Sequence, residues 1–143
     1  MESDDEGPGV VRSLAVTAED LVAAVEARHQ RGAPVVLRAT PPFSGRMRAR
    51  LHVPSDDGPE EGMVHVDPRA LLDAEAPPYP RPGDTEDALR SHPTVTYSVE
   101  HHHERHERAV AGWRRAVRDH FVDETVIETP AGERTVDVAV LGQ

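Results

Sequence analysis

The first periodic run of apolar residues, from Leu21 to Val25, has the spacing of an amphipathic helix. Thr17, with Asp20 three residues later, has the pattern of an N-terminal capping box, and Gly32 is a typical C-terminal stop. Together these positions predict a helix over about 18–31.

Two segments then have sequences that predict strands. Segment 35–40 is apolar and β-branched, and after a turn rich in proline at 41–45, segment 46–53 alternates arginine or histidine with apolar residues. This alternation predicts one face towards the core and one basic face. Segment 63–66 predicts a further short strand.

The middle of the chain, 54–93, holds eight of the 13 prolines, so regular structure there is expected to be short and irregular. A helical turn is predicted over 69–73, and Thr85 is a candidate cap for another. The proline-rich run 76–83 is expected to form a linker or an extended strap.

The last third of the chain predicts one long helix followed by a hairpin. Apolar and histidine positions recur every three to four residues over 100–122, and 94–99 is interpreted as an N-terminal extension of that helix. The hairpin is predicted from strands over 125–129 and 134–141, with a turn at 130–133.

These elements predict an α+β fold with one antiparallel sheet of four to five strands and two main helices packed on one face. The order helix, strand, strand occurs twice, which makes an α-β-β pseudo-repeat a candidate. Residues 1–12 are acidic and are expected to form a mobile tail. Residues 13–143 are expected to form a single domain around a modest core rich in valine, since aromatic residues are only 3% of the chain.

Composition excludes several classes of protein. The 143 residues include no Cys, so there is no disulfide framework and no thiolate nucleophile or metal ligand. No apolar run is long enough to span a membrane, and the acidic start lacks the pattern of a signal peptide, so a cytoplasmic protein is expected. All 16 basic residues are Arg, against 26 acidic residues, for a net charge of −10.

The absence of Lys and Asn, together with the excess of acidic residues, resembles the composition of proteins from halophilic archaea. The chain is similar in this respect to many small uncharacterised proteins of those organisms. A soil bacterium with a GC-rich genome is the alternative source. The resemblance implies a setting and no activity.

The strongest local departure from the net charge is the predicted first hairpin. Residues 31–53 contain five arginines and no acid. The candidate residues for binding an anion or a partner are Arg38, Arg46, Arg48, Arg50 and His52. Guanidinium groups suit phosphates and carboxylates. The alternative is that this face meets solvent or pairs with acidic segments such as Asp56-Asp57 and Glu60-Glu61.

A second candidate is the histidine cluster on the predicted long helix. His102 and His106, four residues apart, lie on one helical face and could ligate a divalent metal with His103 or ligands from elsewhere. The spacing is not that of the His-Glu-x-x-His hydrolases. A hydrogen-bonded structural cluster and a catalytic or pH-responsive role are the alternatives. No other cofactor is predicted.

The sequence therefore predicts a protein of unknown function, interpreted as a non-enzymatic binding or interaction module with an Arg-lined sheet face. The alternatives are a metal-binding protein or metal-dependent enzyme, and a regulator that binds nucleic acid. A protein or an anionic small molecule is the expected partner. Nucleic acid is not expected to bind at high salt, because phosphate contacts weaken steeply as the salt concentration rises. No membrane partner is expected, and the oligomeric state is open.

Overall fold

The structure, a computed structural model, describes residues 7–32, 34–54, 62–130 and 132–143. The chain forms two compact units. Unit 1 comprises Met1–Ala74 and Phe121–Gln143, and unit 2 comprises Glu75–His120. The assignment of 13–143 to one domain stays a prediction.

Unit 1 contains seven strands and one α-helix among its described residues. They are β1 (Ser13–Thr17), α1 (Ala18–Arg31), β2 (Val36–Ala39), β3 (Arg46–Arg48), β4 (Arg50–His52), β5 (Val64–Val66), β6 (Glu124–Thr129) and β7 (Gly132–Leu141). A 3-10 turn, Pro68–Leu71, confirms the predicted helical turn near 69–73. The predicted strand at 63–66 is confirmed as β5.

The strands form two sheets, so the predicted single antiparallel sheet is wrong. A mixed four-stranded sheet has the order β3-β1-β7-β6, and an antiparallel three-stranded sheet has the order β4-β2-β5. Strand β1 runs parallel to both β3 and β7, while β6 and β7 form the predicted antiparallel hairpin. Strand β5 of the three-stranded sheet also contacts β6 of the four-stranded sheet.

The main cause of this difference is β1, which the sequence pattern did not predict. It has five residues and runs directly into the cap of α1, so only Leu14 and Val16 carry a period of two. Both are almost fully buried, at 2% and 1% exposure. A short strand in the middle of a sheet thus supplies the parallel pairings.

The predicted strand over 46–53 is divided at Ala49 into β3 and β4, which belong to different sheets. The Ala49 N–H donates to the Ala15 carbonyl oxygen at 2.9 Å. Ala49 is buried as predicted, but Leu51 and Val53 are 37% and 54% exposed. The predicted core face therefore ends where the chain passes from one sheet to the other.

Helix α1 confirms the predicted bounds. The Thr17 hydroxyl accepts from the Asp20 N–H at 3.1 Å, and Gly32 ends the helix with a positive φ of 63°. The described hydrogen bonds do not include one from the Thr17 N–H to Asp20; the Asp20 carboxylate accepts instead from the Leu51 N–H at 3.4 Å. Leu21 is fully buried.

Unit 2 contains α2 (Pro82–Arg90), α3 (Val99–Ala116) and a 3-10 turn, Val117–Asp119. Helix α3 is shorter than the predicted 100–122. The segment 94–98 is not helical, because the Ser98 side chain caps α3 by accepting from the His101 N–H at 3.1 Å. Helix α2 begins within the predicted linker, with Pro82 in its first turn.

The α-β-β pseudo-repeat is also wrong. Helix α1 belongs to unit 1, whereas α3 belongs to unit 2. The strands that follow α1 are divided between two sheets, whereas β6 and β7 are neighbours in one sheet. The similarity in element order therefore does not extend to pairing.

The predicted tail, 1–12, includes residues 1–6, which lie outside the described residues. Of the remainder, Val11 is fully buried. Its carbonyl oxygen accepts from Arg134 Nε at 2.8 Å, and the Arg12 N–H donates to the Gly45 carbonyl oxygen at 2.8 Å. The packed part of unit 1 thus begins at least two residues before the predicted boundary.

Candidate functional site

The basic face lies on the outer side of the three-stranded sheet and consists of Arg38, Arg50, His52 and His65. The register places Arg38 opposite Arg50 on one neighbouring strand and opposite His65 on the other. Residues paired in this way point to the same side of a sheet. Leu37, which points to the other side, is fully buried. On the side of the basic face, Arg50 and His65 are exposed, whereas Arg38 and His52 are half-buried beside Val36, which is buried.

Contacts within the basic face connect its members. Arg38 Nη1 lies 3.1 Å from His52 Nε2. A guanidinium group only donates, so His52 Nε2 is the acceptor in this hydrogen bond. The ring centroids of His52 and His65 are 6.2 Å apart. Three adjacent strands thus contribute to one continuous surface.

The structure brings together only part of the predicted site. Arg38, Arg50 and His52 belong to the basic face, whereas Arg46 and Arg48 lie on β3 in the four-stranded sheet. Both are exposed and stand opposite Ser13 and Ala15 of β1. The division of the predicted strand at Ala49 places Arg46 and Arg48 in a different sheet from Arg50.

Acidic residues share the sheet face on which Arg46 lies. The register continues from Arg46 to Ser13, then to Asp137 and Glu124. Adjacent strands are about 4.8 Å apart, so the Asp137 backbone, two strands away, lies roughly 10 Å from the Arg46 backbone. This surface is of mixed charge, which distinguishes it from the basic face.

His65 is a member of the basic face that sequence reasoning did not assign to it. Its signal was present, because His65 lies between Val64 and Val66, which are both buried. The sequence pattern did not show that β5 pairs with β2, and this pairing is what places His65 beside Arg38. The acids proposed as alternative partners, at 56–57 and 60–61, lie outside the described residues.

The histidine cluster of α3 is held by hydrogen bonds within unit 2. His102 Nε2 lies 2.9 Å from the Pro82 carbonyl oxygen, and His106 Nδ1 lies 3.1 Å from Thr85 Oγ1. The two rings are stacked, with centroids 6.0 Å apart. A carbonyl oxygen only accepts, so His102 donates from Nε2. These contacts support the structural alternative, in which the rings fix α2 to α3.

The remaining histidines of the cluster do not converge on this pair. His103 is 71% exposed in its side chain and lies 3.4 Å from Glu107, one helical turn away. His101 Nδ1 bonds the Thr96 carbonyl oxygen at 2.8 Å. Within the part of the chain that the structure describes, no group of three or more His, Cys, Asp or Glu side chains could hold a metal ion.

One carboxylate of unit 1 has a clearly shifted pKa. Partial burial by itself would raise the pKa of Asp67, but the Arg69 backbone N–H and guanidinium, with Arg28, hold it below its ordinary value. Asp67 Oδ1 accepts from the Arg69 N–H at 2.9 Å, which caps the 3-10 turn. The shift therefore reflects a structural role.

Unit 2 also contains a groove that sequence reasoning did not identify. Its volume is about 760 Å³, and it lies between the strap at 78–81, α2 and α3. The charged residues that line it are Arg81, Asp84, Arg105 and Arg108. The signal in the sequence was the pair Arg105 and Arg108, three residues apart on one helix.

The strap that forms one wall of the groove is fixed to α3. Trp113 Nε1 donates to the Pro77 carbonyl oxygen at 2.9 Å. The Trp113 and Tyr79 rings meet edge to face, with centroids 4.9 Å apart. Thr85 Oγ1 additionally donates to the Arg81 carbonyl oxygen at 3.3 Å. The wall is therefore anchored at both ends.

Residues 1–142 match the family profile described as Domain of unknown function (DUF8009). The chain belongs to the DUF8009 family. Neither a curated protein nor a solved structure matches the chain. The description of the DUF8009 family names no activity, which agrees with the prediction of a protein of unknown function.

The DUF8009 chain has no α-helix among its described residues that is long and apolar enough to cross a membrane. Its longest helix, α3, has 18 residues and carries charged and histidine side chains over most of its length. The described residues form two charged surfaces, the basic face of unit 1 and the groove of unit 2.

Proposed function

We propose that this DUF8009 protein is a non-enzymatic binding module whose basic face receives the carboxylates of an acidic protein segment. The observation that carries the proposal is the pairing of Arg38 with Arg50, directly opposite each other on adjacent strands. Two guanidinium groups in this position can donate hydrogen bonds to the oxygens of one carboxylate.

The chemistry of the basic face suits carboxylates. Arginine forks donate two parallel hydrogen bonds to a carboxylate, which adds geometric specificity. His65, which stands opposite Arg38 on β5, adds a further hydrogen-bond donor or acceptor to the same face. An extended acidic segment would meet three strands in succession. The anionic small molecule expected from the sequence would satisfy the same groups through fewer contacts.

The composition supports a halophilic setting and a cytoplasmic location for this module. The chain combines 26 acidic residues with the complete absence of Lys. At about 1 M salt the Debye length is about 3 Å, so only close contacts hold an anion. Direct hydrogen bonding by a pair of arginines meets that condition better than a diffuse positive field does.

The decisive experiment compares two double variants with equal loss of charge. Arg38→Gln/Arg50→Gln disrupts the basic face, and Arg46→Gln/Arg48→Gln removes the same charge from the neighbouring sheet. Binding of a labelled glutamate-rich peptide is measured by fluorescence anisotropy. The first variant is expected to weaken binding about tenfold, and the second less than about twofold.

Equal effects of the two variants would contradict the proposal, since they would show that net charge alone attracts the peptide. Absence of peptide binding to the wild-type protein would also contradict it. Duplex DNA in the same assay tests the nucleic-acid alternative, which fails if binding is lost at about 1 M KCl. Circular dichroism of each variant confirms that it is folded.

A further inference from the structure

We propose that the groove of unit 2 binds a small organic phosphate monoester that carries an aromatic ring. The groove volume of about 760 Å³ lies within the range of small-molecule sites, about 300–1,000 Å³. All residues that line it belong to unit 2. This inference is therefore independent of the function proposed for the basic face.

The charge of the groove favours a dianion. Three arginines and one acid, Asp84, line it, so the site carries a positive excess of two in a chain whose net charge is −10. The structure shows no ion pair between these three guanidinium groups and any other side chain of the described residues. A phosphate monoester carries about −1.5 to −2 at pH 7, which matches the excess.

The geometry brings guanidinium groups to one place. Arg105 and Arg108 are three residues apart on α3 and therefore neighbours on its surface. Arg81 enters the groove from the N-terminal end of α2. Planar guanidinium forks from two elements can contact different oxygens of one phosphate. A monocarboxylate would leave one positive charge uncompensated.

The other walls of the groove are apolar and suit a flat ring. Pro78, Tyr79 and Pro80 form the strap side, and Ala88 and Ala109 come from the two helices. Proline restricts the backbone, and the bond from Trp113 to the Pro77 carbonyl oxygen fixes the strap. A wall that is rigid before binding loses little entropy when a ligand arrives. Inorganic phosphate would leave this apolar surface unused.

Asp84 adds a preference within the class of aromatic phosphates. It lines the same groove as the arginines, in the first turn of α2. A carboxylate only accepts hydrogen bonds, so it favours a ligand that has a hydroxyl or amino group between or beside its ring and its phosphate. A nucleoside monophosphate has all three parts.

The test uses the full chain and four probes: adenosine monophosphate, phenyl phosphate, adenosine and inorganic phosphate. Trp113 is the one tryptophan of the chain and contacts Tyr79 of the groove wall, so its fluorescence reports on binding. At about 0.1 M KCl, where screening is moderate, we expect the two aromatic phosphates to bind at least about tenfold more tightly than adenosine or inorganic phosphate.

The matched variants lie on one helix. Arg108→Gln is expected to weaken binding of adenosine monophosphate about fivefold to tenfold, whereas Arg115→Gln, an exposed position of α3 outside the groove lining, leaves it unchanged. Calorimetry gives the same affinities without the tryptophan signal. A preference for adenosine monophosphate over phenyl phosphate that disappears in Asp84→Asn would support the role of Asp84.

Three results would overturn the proposal. The first is binding of inorganic phosphate as tight as that of the aromatic phosphates, which would indicate an adventitious ion only. The second is equal weakening by Arg108→Gln and Arg115→Gln. The third is no binding of either aromatic phosphate at about 10 mM, since even a weak site of this size would be detectable there. A failure of the peptide to bind at the basic face would not affect any of these three tests of the groove.

Discussion

Asp67 shows how a single carboxylate can link local structure to pH. Its side chain caps a 3-10 turn and lies 3.7 Å from Arg28 Nε and 3.4 Å from an Arg69 nitrogen. The pKa of Asp67 is lowered from its ordinary value of 3.8, so the charged form is favoured in the folded state. Its contribution to stability is present above that value and is lost as the pH falls through the lowered folded pKa.

We therefore expect Asp67→Ala to lower the free energy of unfolding at neutral pH by about 1 kcal/mol, since it removes a cap. The difference from wild type should shrink as the pH falls below the ordinary value of 3.8. Urea unfolding at several pH values measures both quantities. Asp67→Asn, which keeps a capping oxygen without the charge, is the control. A difference that stays constant with pH would rule out the charge as the cause.

The histidines of α3 make a second prediction at the residue scale. One nitrogen of His102 and one of His106 are bonded to groups at the start of α2. We expect protein purified without a histidine tag to contain metal well below one equivalent after incubation with zinc and desalting, as measured by elemental analysis. Stoichiometric zinc that is lost in His106→Gln would contradict the structural role.

The sequence predicted single residues well where one local rule decides their place. Thr17 and Gly32 end α1 as expected, and Ala49 is buried as the alternation requires. The sequence did not predict the neighbours of residues whose place depends on packing between two distant segments of the chain. His65 stands opposite Arg38 only because β5 pairs with β2, and Arg81 and Arg105 line one groove only because the strap lies beside α3. No periodicity within either segment carries that information.

At the scale of elements, the cap of α1 gives a direct test of local stability. Thr17 occupies two roles, since it ends β1 and its hydroxyl accepts from the Asp20 N–H. We expect Thr17→Val, which keeps the β-branched shape, to lower the free energy of unfolding by about 1 kcal/mol. Thr17→Ser should keep most of the stability. If chemical denaturation shows that Thr17→Val and Thr17→Ser lower the free energy of unfolding equally, the effect comes from strand packing and not from the cap.

The pairing of β2 with β4 suggests a variant that stabilises the folded protein. Arg50 stands opposite Arg38, whereas Arg48 stands opposite Ala15. We expect Arg50→Gln to raise the free energy of unfolding at low salt by about 0.2–1 kcal/mol, because it removes a like-charge pair. Arg48→Gln should change it less. Destabilisation by Arg50→Gln would show that the pair carries no strain.

Elements with strong patterns were predicted, and the connections between them were not. The hairpin of β6 and β7 and the helix α1 follow from period and turn chemistry. The parallel partners of β1 do not, because a five-residue strand has too few positions to reveal its neighbours. The division of 46–53 at Ala49 follows from where two sheets meet, which is a property of the whole unit.

At the scale of the whole molecule, charge is distributed unevenly. The net charge is −10, yet the basic face and the groove are both locally positive. A net charge far from zero destabilises the compact state through repulsion, and like-charge pairs such as Arg38 and Arg50 add a local term of the same sign. Salt weakens both terms because the Debye length falls from about 10 Å at 0.1 M to about 3 Å at 1 M.

We therefore expect the Tm to rise when KCl is increased from about 0.1 M to 1 M, and thermal unfolding followed by circular dichroism measures it. KCl is preferred to sulfate, which strengthens apolar burial by its exclusion from the surface. A Tm that falls or stays constant would contradict the argument from repulsion. Screening is nearly complete at about 1 M, so it predicts a plateau there. A rise that continues to multimolar KCl would instead support the halophilic setting, because screening alone could not produce it.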